Sequence, residues 1–192
     1  MPKIHEIVTI INNTLKADKF KSKRFQKGNF FGVAELMPNE QGETKPCSID
    51  NGGDATFLSI DDSYPFIVYH RVLNIEPNRT MDDNFGNGIR REETANMKMV
   101  CYADRSKIKL TKEDLIGGFS AGWLYQILPT DITALGINDC DINMGSFETD
   151  STTVYNSEFN LKENLLKPQT ILFSLDYQIV TNYNVSCLTL CE

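Results

Sequence analysis

Gly118-Phe119-Ser120-Ala121-Gly122 has the spacing Gly-x-Ser-x-Gly, in which a tight strand-to-helix turn lifts a serine beside a histidine base. The surrounding residues speak against that chemistry. Where the motif serves hydrolases the histidine follows the serine, whereas His5 and His70, the two histidines of the chain, both precede Ser120. The run Thr111-Lys112-Glu113-Asp114-Leu115-Ile116-Gly117 reads as the start of a helix rather than as a buried strand, and no His-Gly-Gly oxyanion loop lies upstream. A triad is defined by geometry and not by order. A His70–Ser120 pair brought together by the fold therefore keeps a cytosolic serine hydrolase-like enzyme as an alternative. His70 itself, set in an apolar strand, reads as a packed or interface histidine before it reads as a base.

The other chemistry-bearing residues form no coherent set. Cys47, Cys101, Cys140, Cys187 and Cys191 are odd in number and scattered, without a Cys-x-x-Cys, so buried free thiols are expected. Cys187 and Cys191 would need two further ligands to hold zinc, and neither histidine lies at a ligand-like spacing. Asp61-Asp62 and Asp82-Asp83 are adjacent acids of the kind that sit solvated in turns, and Asp139, Asp141 and Asn143 lack the glycine and distal glutamate of a calcium loop. There is no phosphate-binding Gly-x-x-x-x-Gly-Lys-Ser/Thr and no dinucleotide fingerprint. No metal and no cofactor is expected, and by elimination the residues point to binding or assembly.

Composition narrows the class. The 192 residues carry 19 basic and 26 acidic side chains, net −7, with 41% hydrophobic and 23% charged residues, which fits one ordinary globular domain over 1–192. No apolar run approaches the roughly 20 residues of a membrane span. The opening Met1-Pro2-Lys3-Ile4-His5-Glu6 has no apolar signal region, so a chain made and kept in a cytoplasm, or in a particle assembled there, is expected. Lys16, Lys19, Lys21, Lys23, Arg24 and Lys27, with Phe20 and Phe25 between them, could bind single-stranded nucleic acid. The net negative charge opposes a polyanion, so the cluster reads as a solvated helix end. Residues 130–161 are the opposite extreme, with six acids and no lysine or arginine.

The elements that would position these groups follow from hydrophobic period. Ile4, Ile7, Val8, Ile11 and Leu15 recur at spacings of three and four, predicting an amphipathic helix over 4–17. A strand is expected at Phe30–Leu36, and a hairpin joins Cys47–Asp50 to Ala55–Ile60 through Asn51-Gly52. A further strand is expected from Phe66 to Leu73, opened by Pro65 and closed by Pro77. Residues 78–91 read as an exposed loop or a long hairpin tip. Thr94–Ala103 returns as a strand with Ala95, Met97, Met99, Cys101 and Ala103 on one face. Thr111 and Asp114 form an imperfect capping box for a central helix that ends before Pro129, and Gly117, Gly118 and Gly122 within it predict a close neighbour on its backbone. Residues 171–182 alternate Ile171, Phe173, Leu175, Tyr177, Ile179 and Thr181 with a wetter set, the pattern of a strand buried on one face. Ile7, Ile11, Trp123, Phe173, Leu175 and Tyr177 are the expected core. About forty loop-like residues separate the central helix from this strand. The class is α+β: a mainly antiparallel sheet flanked by an N-terminal and a central helix, with long loops or arms near 78–91 and 130–168.

That order of elements, carried by Ile4–Ala17, Phe30–Leu36, Phe66–Leu73, Thr111–Leu128 and Leu172–Asn182, resembles tail terminator and tail-completion proteins of tailed bacteriophages. The asparagine-rich, lysine-over-arginine composition is similar to that of structural proteins of crAss-like and other Bacteroidota phages. The resemblance implies a virion structural protein, located in the neck or tail and assembled in the host cytoplasm. It would form a homo-oligomeric ring that joins head to tail or completes the tail, beside the portal or adjacent ring proteins. Such a ring is part of a DNA conduit and binds no specific nucleic acid sequence, and an acidic loop facing its lumen would repel phosphates. Asn84, Phe85, Asn87 and Arg90 in the first excursion, and Asp139, Asp141, Phe147, Tyr155 and Phe159 in the second, are the expected subunit contacts. A generic protein-binding module is the remaining alternative.

Overall fold

The structure is a computed structural model and describes residues 4–17, 28–49, 55–58, 65–82, 89–108, 111–124, 135, 137, 139–159 and 166–184. It is an α+β fold. In chain order the elements are α1 (Ile4–Ala17), β1 (Asn29–Pro38), β2 (Thr44–Ile49), β3 (Ala55–Phe57), β4 (Phe66–Asp82), β5 (Ile89–Asp104), α2 (Lys112–Leu124), β6 (Asp139–Glu148), α3 (Ser151–Glu158) and β7 (Thr170–Asn184). The strands form one sheet in the order β3-β2-β1-β4-β5-β7-β6, with β1 and β4 parallel and every other neighbouring pair antiparallel.

The face beneath α1 and α2 holds the larger core. Ile7, Val8, Ile11 and Leu15 of α1 are buried against Phe30 and Val33 of β1, Phe66 and Val68 of β4, and the alternate residues Ala95 to Ala103 of β5. Ile171, Phe173, Leu175, Tyr177 and Ile179 complete it, so the period-two and period-three/four patterns both mark the same interior. Leu115 of α2 is buried with them, and the helix begins on the reciprocal capping pair: Thr111 Oγ1 accepts from the Asp114 amide at 3.1 Å and Asp114 Oδ2 from the Thr111 amide at 3.0 Å. The Trp123 side chain lies outside the described residues. At the exposed Gly117 an added Cβ would meet nothing within 4 Å among the described residues, which show no close neighbour at that position.

On the opposite face a smaller core lies beneath α3. Val154, Tyr155 and Phe159, from α3 and the residue after it, pack on Ala34, Ile67, Tyr69, Val100, Tyr102 and Leu172. The second set of β7 residues is therefore drier than its sequence suggests, with Leu172 fully and Ser174 almost fully buried beneath α3.

Several boundaries differ from the sequence reading for stated reasons. Residues 139–148 are a strand and 151–158 a helix, so the excursion at 130–168 is not one long loop. β4 runs through Pro77 to Asp82 and pairs with β5 as far as Asp82–Ile89. Proline is tolerated where a strand has a free margin. The pairing of β1 with β4 ends at Val33–His70, and no described strand pairs with that margin of β4 beyond it. The 78–91 excursion is thus mainly paired ribbon, and only 83–88 lie outside the described residues. The hairpin of β2 and β3 is present, its Asn51-Gly52 turn also lying outside them. Between β1 and β2, Asn39 Oδ1 accepts from the amides of Gln41 and Glu43, and Gly42 takes the φ of 73° that a side chain would resist.

Candidate functional site

Among the described residues, two buried polar networks, one on each face, and the outer margin of β6 are the features taken as candidates. The first network centres on His70, fully buried on β4. Its Nδ1 lies 2.8 Å from the Tyr177 hydroxyl and its Nε2 2.9 Å from Asn12 Oδ1. The register of β1 on β4 slips between Phe30 and Val33, and the Asn12 amide nitrogen donates to the Phe31 carbonyl at 2.8 Å. That bond fixes the rest by donor logic. Asn12 spends its N–H on Phe31 and offers its oxygen to His70, so Nε2 carries the ring proton and Nδ1 accepts from Tyr177. The chain of donation therefore runs one way, from β7 through β4 to α1 and β1. Burial lowers the His70 pKa to about 3 and raises that of Tyr177 well above its ordinary value, so both stay neutral.

The second network anchors α3. Arg71 Nη1 lies 2.7 Å from Glu158 Oε1, and the Tyr69 hydroxyl donates to Oε2 at 3.1 Å. The Glu158 side chain is wholly buried while that of Arg71 keeps 19% exposure. Burial, then the Glu158 charge and hydrogen bond, push the Tyr69 hydroxyl well above its usual range. At the other end of α3, Asp150 caps the helix by accepting from the Thr152 amide, and Ser151 Oγ donates to the Leu172 carbonyl and accepts from the Leu172 amide. Ser151 thereby continues the hydrogen bonding of β7 past Ser174, where its pairing with β6 stops.

β6 is the outermost strand on its side. Asp139, Asp141 and Asn143 are exposed on the α3 side, and Cys140, Ile142 and Met144 are half-buried against the larger core. The Cys140 amide donates to Asp139 Oδ1 at 3.0 Å, away from β7. Alternation along an antiparallel strand then turns the amides of Ile142 and Met144 outward as well. A bulge between Met144 and Phe147 lets Gly145 lie against β7, where a Cβ would come within 2.7 Å of the Asp176 carbonyl. Burial, reinforced by Asp141 and Asp139, pushes the Cys140 thiol up to about 12, and burial raises those of Cys101 and Cys47, so all three stay protonated at neutral pH.

The expected contact residues separate into groups. Asp139 and Asp141 stand exposed on the β6 margin, and Phe147 lies on the same strand, packed partly into the larger core. Tyr155 and Phe159 do not belong with them: they are buried and their rings stack at 5.2 Å inside the smaller core. Their spacing of four on a short helix reflects packing on the sheet. Asn84, Phe85 and Asn87 lie outside the described residues, and Arg90 is paired by its backbone with Met81 and Asn184. Ser120 lies inside α2 and not on a strand-to-helix turn, and both ring nitrogens of His70 are already bonded elsewhere. Glu158, Arg71 and Tyr69 were not singled out by sequence reasoning, and no local signal joins residues 87 and 89 positions apart. Among the described residues no group of three or more His, Cys, Asp or Glu could hold a metal ion, and no helix is long and apolar enough to cross a membrane. The chain matches no known family model and no curated protein sequence.

Proposed function

We propose that this chain is a structural subunit of a tailed-bacteriophage virion. In this reading it forms an oligomeric ring at the neck or tail, joining head to tail or completing the tail as part of the DNA conduit. The observation that carries the reading is the ten-residue β6 margin, uncovered among the described residues and fringed with acids. Subunits that assemble can add a neighbour's strand to such a margin, here along the regular stretch from Asp139 to Met144 that precedes the bulge. The order of elements that resembles tail terminators and tail-completion proteins supports the placement in a ring. The net charge of −7 suits a conduit that lets DNA pass without retaining it. The partners in this reading are further copies of the chain and the portal or adjacent ring proteins.

Serine hydrolase chemistry has little to work with, because a serine inside a helix and a histidine with both nitrogens committed do not make a nucleophile–base pair. The test is the mass of the particle formed by the purified chain, alone and mixed with portal and neck proteins, by light scattering and negative-stain imaging. A discrete closed ring is expected. A chain that stays monomeric beside every one of those proteins overturns the reading.

A further inference from the structure

We propose that in the free chain the outer margin of β6 is capped by β6 of a second copy, the two strands running antiparallel about a two-fold axis at Ile142. Among the described strands β6 has β7 on one side and none on the other, and its regular stretch runs from Asp139 to Met144. The outward backbone groups select the register. Cys140, whose amide donates to Asp139 Oδ1, faces away from β7, and Ile142 and Met144 share that direction. In an antiparallel strand the carbonyl of each residue lies on the side of its amide, so an added strand bonds by setting outward residues opposite outward residues. With Ile142 opposite Ile142 and Cys140 opposite Met144, every outward residue of the stretch is paired in both copies. A register centred on Asp141 leaves Met144 beyond the end of the stretch, and one centred on Asn143 leaves Cys140 against the bulge.

The side chains agree with that register. On the α3 side the exposed Asp141 of each copy falls opposite Asn143 of the other, whose side-chain amide donates to its carboxylate. Asp139 reaches the bulge at Gly145, where no side chain faces it. On the other side Ile142 meets Ile142 and Cys140 meets Met144. All are half-buried against the larger core, which the pair continues from one copy into the next. The register centred on Asp141 would instead set two carboxylates face to face. The register that bonds the whole stretch thus also keeps acid off acid. The two Asp141 carboxylates remain diagonal neighbours, at about 7–8 Å by strand position, so added salt should tighten the pair. A two-fold contact closes at two copies and does not propagate. The inference therefore goes beyond the ring: the pair is the state of the free chain, and a ring neighbour replaces it on the margin during assembly. Until then the cap shields the strand from indiscriminate pairing.

Moving charge along the strand tests it, read as the dimer dissociation constant of the purified chain by sedimentation equilibrium. Asn143→Asp sets carboxylate opposite carboxylate on both sides of the axis and should weaken the pair roughly tenfold. Adding Asp141→Asn exchanges the two roles and should restore the wild-type affinity. Adding Asp139→Asn instead returns the net charge to the same value while the opposed carboxylates stay, and should not rescue. Asp139, Asp141 and Asn143 are exposed, so none of these changes opens the described core. In the wild type, amide exchange at Cys140, Ile142 and Met144 should slow as concentration rises. A free chain that is monomeric at every concentration, a dimer indifferent to Asn143→Asp, or equal rescue by Asp141→Asn and Asp139→Asn overturns the pairing. A dimer that passes these tests and never enters a ring with portal and neck proteins overturns the proposed ring and leaves the pairing standing.

Discussion

On the face under α1, His70, Asn12 and Tyr177 are buried as neutral groups in a one-way chain of hydrogen bonds; on the face under α3, Glu158 and Arg71 meet as ions. The helices explain the difference. α1 has fourteen residues and buries Ile7, Val8, Ile11 and Leu15, so apolar area alone can hold it, at about 25 cal/mol per Å². α3 has eight residues and, with Phe159, contributes three apolar side chains to its core. It is located by directional bonds instead, an ion pair at one end and the Ser151–Leu172 bonds at the other. A buried ion pair adds little net stability over a hydrophobic substitute, yet it is costly to break from one side. One face is thus held by area and the other by position.

The sharpest way to break the contrast is Leu175→Ala. This fully buried residue belongs to the larger core, and its loss should cost about 4 kcal/mol in urea unfolding and lower amide protection throughout the sheet. A cost below 1 kcal/mol would mean that the α1 face is not what holds the fold. Glu158→Ala should cost about 3 kcal/mol, less than a fully enclosed pair because Arg71 retains a link to water. Here hydrogen exchange should rise in α3 well before it rises in β5, and a uniform rise would show that the two faces do not separate.

The neutral network has a signature in pH. The His70 pKa falls from 6.5 to about 3 on burial, so between those values the unfolded chain binds a proton that the folded chain refuses. Stability should therefore fall as pH drops through this window, by at most about 1.4 kcal/mol per unit. His70→Gln should flatten that part of the slope. The comparison belongs above about pH 4.5, clear of Asp104, whose carboxyl its bond from the Ser106 hydroxyl holds below the ordinary carboxylate range. The smallest effect is on α2. Gly117→Ala at an exposed position with open space should raise stability by about 0.5–1 kcal/mol, and a loss would reveal a neighbour on that face.

The α1 side of the molecule was legible in the sequence because its signals are local and periodic. The spacing of Ile7, Val8, Ile11 and Leu15 and the alternation from Ile171 to Ile179 each mark a face that is buried. The α3 side was not, for the same reason in reverse. Cys140, Ile142 and Met144 do alternate with Asp139, Asp141 and Asn143, but over few residues, and the acids of a strand with one free margin look like those of a loop. Ser151–Glu158 is short and weakly amphipathic, and its anchor Arg71 lies 87 residues away. Pro77 misled because strand-ending by proline presumes a partner on both sides, and among the described strands β4 has one there, β5. Of the candidate contacts, Asp139 and Asp141 stand at an open margin, while Tyr155 and Phe159 show that aromatic residues in a polar stretch can be interior.

The place of β7 in the strand order also sets the timetable of synthesis. β6 pairs only with β7 among the described strands, and Ser151 of α3 is fastened to the backbone of Leu172, yet both elements are translated before it. A nascent chain that has released residues 139–159 therefore carries a strand without a ladder and a short helix that still lacks Leu172 and the Ser151 bonds. Only when residues 170–184 leave the ribosome can they slot between β5 and β6 and complete both at once, which makes the last strand of the sheet the one whose arrival ends the exposure of the rest.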